Sequence, residues 1–378
     1  MIDQSPSTGH LFPPAAADLS SRLLDWYARN QRDLPWRREP TPYRVWISEI
    51  MLQQTQASRV VPYFDHWMRV FPHVRAVADA DQSGLLKVWE GLGYYTRAKN
   101  IQAAARIICA KHNEQLPSSL SALLSLPGIG PYTASAIASF AFHRNVPVVD
   151  ANVQRVMARI LNISQPIKFS PAQKAVHSAM KDLIPQGQSP SLNQAVMELG
   201  ALVCLPRSPA CSSCPITGFC RSLAADKVHA RPVLPSKRKS TAIEVAAGVL
   251  VDQERILIQK RPPQGLMANL WEFPGGKLQP GESPEQALIR EFREELELDI
   301  RVEDKITLIK HSYTRFRVTL HVFWCTLARP GQEPVLHAAT EARWTSASSL
   351  SSYPFPSADR RLIQMLQNEG GPYAGRSN

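Results

Sequence analysis

Leu126-Pro127-Gly128-Ile129-Gly130-Pro131-Tyr132-Thr133-Ala134 lies between two apolar stretches of helical period, one ending near Leu124 and one expected over residues 133–142. Two glycines let such a turn take left-handed backbone angles and point bare N–H groups outward, beside a helix N-terminus. That is the make-up of a phosphate cradle formed by Gly128 and Gly130. By itself the stretch fits a tight helix–helix turn equally well. Outward from it, the first two thirds of the chain read as helices. Leu23, Leu24 and Tyr27 share a face, and Thr41-Pro42 is a helix start with Thr as N-cap, opening a helix that carries Val45, Trp46, Ile50 and Leu52. Helical spacing continues through Val61, Phe64, Met68 and Phe71, then Leu85, Leu86 and Trp89, then Ile101, Ala105 and Ile108. Strand signals are nearly absent before residue 230.

At residues 231–240 the sequence is RPVLPSKRKS, proline-rich and basic, which reads as an exposed linker. Beyond it the period changes. Val245, Ala247, Val249 and Val251 alternate as in a strand, and residues 255–259 supply a second one. Residues 284–296 are helical in pattern, and residues 305–327 are rich in β-branched and aromatic side chains, with alternation over 315–322. The expected organisation is a tail over 1–18, a helical body over 19–230, the linker, and a mixed α/β domain over 241–378.

The 378 residues suffice for two or three domains, and 44% apolar with 20% charged residues is ordinary globular composition. No apolar run approaches the roughly 18 residues of a membrane span, and the first nine residues lack the basic and apolar segments of a signal peptide. The expectation is a cytoplasmic protein with no membrane partner. Net charge is +11, unevenly placed: residues 1–230 hold 23 Lys and Arg against 15 Asp and Glu, the linker adds four basic residues, and residues 241–378 hold 16 against 17. A basic body beside a near-neutral C-terminal third points to polyanion contact by the first part. Charge kept for solubility alone is the bland alternative.

Four of six cysteines crowd into residues 204–220 as C-x6-C-x2-C-x5-C, which argues against a disulfide framework and for one metal centre held by Cys204, Cys211, Cys214 and Cys220. The spacing fits zinc and a 4Fe–4S cluster alike. Cys109 and Cys325 read as ordinary buried residues. Glu49, in WISEIMLQQTQ, stands mid-helix among apolar residues, with Trp46 and Gln53 on its face, where desolvation raises a carboxyl pKa.

LPGIGPYTA, followed twenty residues after Gly130 by Asp150 in VVDANVQRV, resembles the helix-hairpin-helix DNA glycosylases of base excision repair, and the cysteine spacing resembles their iron–sulfur motif. Strand-cleaving members carry a lysine two residues after the second glycine; Tyr132 stands there, as in the MutY-type adenine glycosylases. The resemblance covers residues 20–221. It implies a 4Fe–4S cluster that folds its loop and presents Arg207 and Arg221 to phosphates. It also implies a monofunctional enzyme acting as a monomer on double-stranded DNA with adenine opposite 8-oxoguanine or guanine. Adenine leaves badly as an anion, so the chemistry needs an acid and a carboxylate that stabilises the oxocarbenium-like sugar. By resemblance Glu49 is the acid and Asp150 the stabilising carboxylate, with Tyr132 and Asn152 beside them. Trp36 and Arg37 match a pocket-entry pair, Glu198 the group that reads the adenine edge, and Gln54 and Tyr94 residues that wedge into the stack beside the extruded nucleotide.

In the last third, Gly276 through Glu295 fits G-x5-E-x7-R-E-U-x-E-E, the Nudix box, and LWEFPGGK before it resembles the MutT-type pyrophosphohydrolases. Glu291, Glu294 and Glu295 fall on one helix face and become candidate Mg²⁺ ligands. MutY-type enzymes normally end in a related domain that recognises 8-oxoguanine and has lost these acids. The alternative is therefore a bifunctional chain that also hydrolyses oxidised purine nucleoside triphosphates. Two departures cut against it: Glu297 replaces the helix-ending glycine, and His337-Ala338-Ala339 precede Glu341, where hydrolases carry another glutamate. The lesion-reading residues are expected at Tyr313, Thr314 and Arg315, in the stretch HSYTRF.

Overall fold

The computed structural model describes residues 15–235, 241–312 and 316–368. The chain divides into two compact units that do not follow sequence order: Met1–Ala78 with Ile101–Ser236, and Asp79–Asn100 with Lys237–Asn378.

The first unit is helical. Thr41 caps the Pro42–Leu52 helix by accepting from the Arg44 N–H at 3.4 Å, with Pro42 at the first position. The Ala57–Val70 helix buries Val60, Phe64 and Trp67 in place of the expected Val61 and Met68, so its inner face is rotated by one residue. Trp67 sets that face: its ring is fully buried, edge-on to Phe71, and its Nε1 donates to the Tyr43 hydroxyl at 3.0 Å. A tryptophan offers more apolar area than a valine or methionine and decides which side turns inward. The Ala15–Asn30, Ala151–Ile160, Ser170–Leu183 and Ser189–Leu202 helices share a core built on Leu19, Leu23, Val156, Met157, Leu192 and Leu199.

The helix after the glycine turn runs Pro131–Phe140, two residues earlier at both ends than expected, because Gly130 is its N-cap and Pro131 its first residue. Only Gly128 takes a left-handed angle, at φ +77°; Gly130 is at φ −89°. A Cβ on Gly130 would meet nothing of this chain within 4 Å, so glycine there clears the outer approach to the helix N-terminus and serves no internal packing.

In the second unit, β1 (Thr241–Asp252), β2 (Arg255–Lys260), β3 (Trp271–Glu272), β4 (Gly275–Lys277), β5 (Ile300–Ser312), β6 (Phe316–Leu327) and β7 (Glu341–Thr345) form one sheet. Its order is β3-β2-β1-β6-β5, with β4 also pairing β1 and β7 pairing β2. β1 and β6 are parallel, with Ala246 opposite His321 and Leu250 opposite Cys325. The expected alternation along β1 gives way to burial of every residue from Ala246 to Leu250, because both faces are covered. Ala246 and Leu250 pack on the Pro284–Leu296 helix through Leu288 and Phe292, and Ala247 and Val249 pack on Leu350 and Leu362. Among the described residues, no helix is long and apolar enough to cross a membrane.

Candidate active site

The Pro42–Leu52 helix buries every residue from Val45 to Met51, and Glu49, 4% exposed, lies in the middle of that run. The Tyr132 hydroxyl donates to Glu49 Oε2 at 2.6 Å. Burial pushes the Glu49 carboxyl up to about 7; Tyr132's hydrogen bond opposes this, Asp150's charge adds to it and Arg37's charge opposes it. At neutral pH a large fraction of this carboxyl therefore carries its proton. Tyr132 comes from the first turn after the glycine hairpin, and burial together with Glu49 and Asp150 drives its own pKa well up, so it stays a neutral donor.

Asp150 is the N-cap of the Ala151–Ile160 helix. Its Oδ1 accepts from the Val153 N–H at 2.7 Å and its Oδ2 from Asn152 Nδ2 at 2.9 Å. Burial raises its pKa, against the Val153 and Asn152 hydrogen bonds and the Arg155 charge. The two carboxyls thus differ: Glu49 accepts one bond from a phenol, Asp150 bonds that favour its charged form. Asn152 is held in turn by Arg155, whose Nη2 donates to Asn152 Oδ1 at 2.8 Å and to Gly200 O at 2.6 Å, and whose Nε donates to Cys204 O at 2.8 Å. A Cβ on Gly200 would stand 2.6 Å from the Asn152 Cβ, so this close helix approach requires glycine.

These groups open on a cleft of about 1050 Å³, lined also by Trp36, Arg37, Gln53, Gln54, Arg155 and Glu198. Trp36 is 6% exposed and edge-on to Phe64 at 5.4 Å. Gln54 is exposed, with a left-handed φ of +60°. Glu198, expected to read the adenine edge, is already fully engaged. It accepts from the Arg32 backbone at 3.0 Å, from Arg32 Nε and Nη2 at 2.6 and 3.0 Å, and from Arg37 Nη2 at 2.8 Å. Burial alone would raise its pKa, but the Arg32 and Arg37 hydrogen bonds outweigh it and hold the carboxyl at about 2. Four donors on two oxygens leave no acceptor site spare, so in this state Glu198 orients two guanidinium groups at the cleft. Arg32 and Arg155 are the residues that sequence reading missed. Arg155 had a signal, one helical turn after Asn152; Arg32, 166 positions from its partner, had none. Tyr94 does not line this cleft and belongs to the other unit. Tyr313, Thr314 and Arg315 lie outside the described residues.

Cys204, Cys211, Cys214 and Cys220 follow the Ser189–Leu202 helix as half-buried free thiols. Burial pushes Cys214 up to about 11, and the charges of Cys204, Cys220 and Cys211 push it the same way. Burial also raises Cys220, and thiols held up in this way are unfavourable as thiolates until a cationic centre takes them. Among the described residues, no three His, Cys, Asp or Glu side chains converge on one point suited to a single metal ion. Arg159, 1% exposed, supports the fit of these thiols to a cationic centre. Its Nη1 donates to Cys204 Sγ at 3.2 Å, and its other donors reach the carbonyls of Leu205, Pro206, Val228 and Arg231. This buried cation is matched to negative sulfur.

In the second unit the Pro284–Leu296 helix starts with a complete capping box between Ser283 and Gln286. Arg290 binds Glu282 at 2.8 Å, Glu291 at 2.8 Å and Glu294 at 3.1 Å, while Glu295 accepts from Gln259 Nε2 at 3.0 Å. The candidate Mg²⁺ ligands are therefore turned onto Arg290 and Gln259 and, as described, are not gathered on one point. Gly276 is required where it stands, since a Cβ would lie 2.2 Å from the Glu291 carboxylate. Glu297 keeps the left-handed cap at φ +54° despite its side chain.

A glycine hairpin feeding a part-buried phenol, two carboxyls in unlike environments and a cysteine cluster loop define a DNA glycosylase of the helix-hairpin-helix class. Residues 47–186 match the HhH-GPD superfamily of base excision DNA repair proteins, residues 204–220 the iron–sulfur binding domain of endonuclease III, and residues 246–365 the NUDIX domain. The human adenine DNA glycosylase is 31% identical over 98% of this chain and 78% of its own length, and the Rattus norvegicus adenine DNA glycosylase 31% over 95% and 80%. The solved structure of a thermostable thymine-DNA glycosylase aligns with TM-score 0.52 at 28% identity, covering 55% of this chain and 96% of that one. The chain belongs to the adenine DNA glycosylase family. Its cofactor is a 4Fe–4S cluster, and the matched iron–sulfur domain spans the stretch that holds the four clustered cysteines.

Proposed function

We propose that this chain removes adenine mispaired with 8-oxoguanine or guanine from duplex DNA, leaving the strand uncut. The observation that carries the reading is Glu49, a buried carboxyl that holds its proton near neutrality beside Asp150 in one cleft. Glu49 donates that proton to a ring nitrogen of the extruded adenine, so the base departs neutral. Asp150, fixed by its N-cap bonds, stabilises the cationic sugar; water then adds at the anomeric carbon, and the products are free adenine and an abasic site. Tyr132 holds Glu49 in place and offers no amine, so no Schiff base forms and the strand stays intact. The Arg32–Glu198–Arg37 clamp and Trp36 shape the base pocket, while Asn152 positions Asp150. Gln54 and Tyr94 fill the stack. The N–H groups around Gly128 and Gly130 hold a phosphate, and a bound 4Fe–4S cluster folds the loop that carries exposed Arg207 and Arg221 to the backbone. Tyr313, Thr314 and Arg315 would read the opposite base, and the protein would act as a monomer in the cytoplasm, at the nucleoid.

Duplexes carrying adenine opposite 8-oxoguanine, guanine or thymine test this directly. Heat- or alkali-labile sites should appear with the first two, and full activity retained by Glu49→Gln or Asp150→Asn would overturn the assignment. The bifunctional alternative draws on the intact box helix, but its acids are bound by Arg290 and Gln259. Turnover of an oxidised purine triphosphate with Mg²⁺ by the full chain would establish it.

A further inference from the structure

The segment Asp79–Asn100 forms one compact unit with the C-terminal domain, held at its ends by Lys99 donating to Ala268 O at 2.7 Å and Gln82 accepting from Asn269 at 2.7 Å, and between them by Phe355. Glu90 Oε1 accepts from the Phe355 N–H at 3.0 Å and the Tyr95 hydroxyl donates to Phe355 O at 2.9 Å, so both backbone polar groups of Phe355 are held from the two ends of residues 91–94. Lys87 adds to the clasp, pairing with Glu90 at 2.7 Å and donating to Tyr353 O at 3.2 Å. Phe355 is itself fixed: fully buried, with its ring stacked on Phe273 at 5.5 Å.

Between the two clasps the loop is strained and braced. Gly91 and Gly93 have φ of +99° and +69°, and Tyr94, which is not a glycine, sits at +49°. Trp89 Nε1 and Arg97 Nη2 both donate to Gly93 O, at 3.0 and 3.1 Å, and the Arg97 guanidinium lies over the rings of Trp89 and Tyr94 at 5.1 and 5.6 Å. The product is a half-exposed aromatic ring, 49% accessible, on a backbone with little freedom. We infer that Glu90 and Tyr95 are positioning residues through which the C-terminal domain sets the Tyr94 ring for nucleotide extrusion. The inference rests on the reading of Tyr94 as the wedge. It gives the C-terminal domain a mechanical part in the first unit's reaction, separate from reading the opposite base.

The test uses the full chain with its cluster and two readouts: single-turnover adenine release, and the fluorescence of 2-aminopurine placed at the target position, which reports extrusion without bond cleavage. Tyr95→Phe should lower both roughly three- to tenfold, the effect of one buried hydrogen bond, and leave the pH profile of release unchanged. Glu90→Met, which keeps the length of the side chain but offers no acceptor to the Phe355 N–H, should do likewise, so the inference does not depend on one variant folding. Tyr94→Ala should lower both as well, and adding Tyr95→Phe to it should cause no further loss. Equal losses with and without the Tyr94 ring, or wild-type extrusion in both clasp variants, would overturn the inference. Extrusion without any adenine release in the unaltered chain would instead contradict the proposed function.

Discussion

Two sets of carboxylates sit in this chain, and their surroundings have opposite effects. Glu49 is buried and Asp150 part-buried, and among the described residues neither forms an ion pair; their neighbours are a phenol, an amide and a backbone N–H. Glu291 and Glu294 belong to a fuller acidic motif, yet Arg290 binds both, and Glu294 is 60% exposed. Desolvation without a paired cation keeps a proton available near pH 7, whereas the Arg290 guanidinium occupies the oxygens of Glu291 and Glu294. A motif match therefore says less about readiness for chemistry than the partners each carboxylate has found.

The contrast breaks most visibly by substitution. Glu49→Gln should lower single-turnover adenine release about 10²- to 10⁴-fold, the usual reach of general acid catalysis, while Glu294→Gln leaves it unchanged. A comparable loss from Glu294→Gln would erase the distinction.

Stability against pH comes next. Burial raises the Glu49 carboxyl from 4.5 to about 7, so folding favours its protonated form. Its contribution is fully present below pH 4.5 and is lost as pH rises to about 7, roughly 3 kcal/mol in all. Thermal melts of the holoprotein should therefore show Glu49→Gln gaining on the wild type from pH 5 to 7, with the gap constant above that. A gap independent of pH would mean that Glu49 is not held protonated.

The smallest effect lies at the end of the box helix. Glu297 occupies a left-handed cap that glycine takes without strain, and Glu297→Gly should stabilise the C-terminal domain by about 1 kcal/mol, read as a higher melting midpoint. Its His337 contact, 2.7 Å from Nε2 to Oε1, lies on an exposed surface and should detract little.

Much of this was legible in the sequence because it is local. The Thr41-Pro42 start, the Ser283 capping box and the cysteine spacing are each written within a few residues. The face of the Ala57–Val70 helix was misjudged because Trp67 outweighs its neighbours, and β1 lost its expected alternation because helices cover both sides of the sheet. The site was legible in its acids and not in their support. Arg32 meets Glu198 across 166 positions, and Arg155 ties Asn152 to the carbonyl of Cys204. Only the folded chain brings those partners together. The grouping of Asp79–Asn100 with the C-terminal domain was likewise invisible, since it depends on Glu90 and Tyr95 meeting Phe355.

The most direct test of the central claim is the pH dependence of single-turnover adenine release, compared between the wild type and Tyr132→Phe. The wild-type rate should fall above about pH 7 as Glu49 loses its proton, and removing the phenol, which favours the ionised carboxyl, should move that fall to higher pH. A rate that stays flat to pH 9, or a fall that moves to lower pH in Tyr132→Phe, would contradict Glu49 as the buried acid.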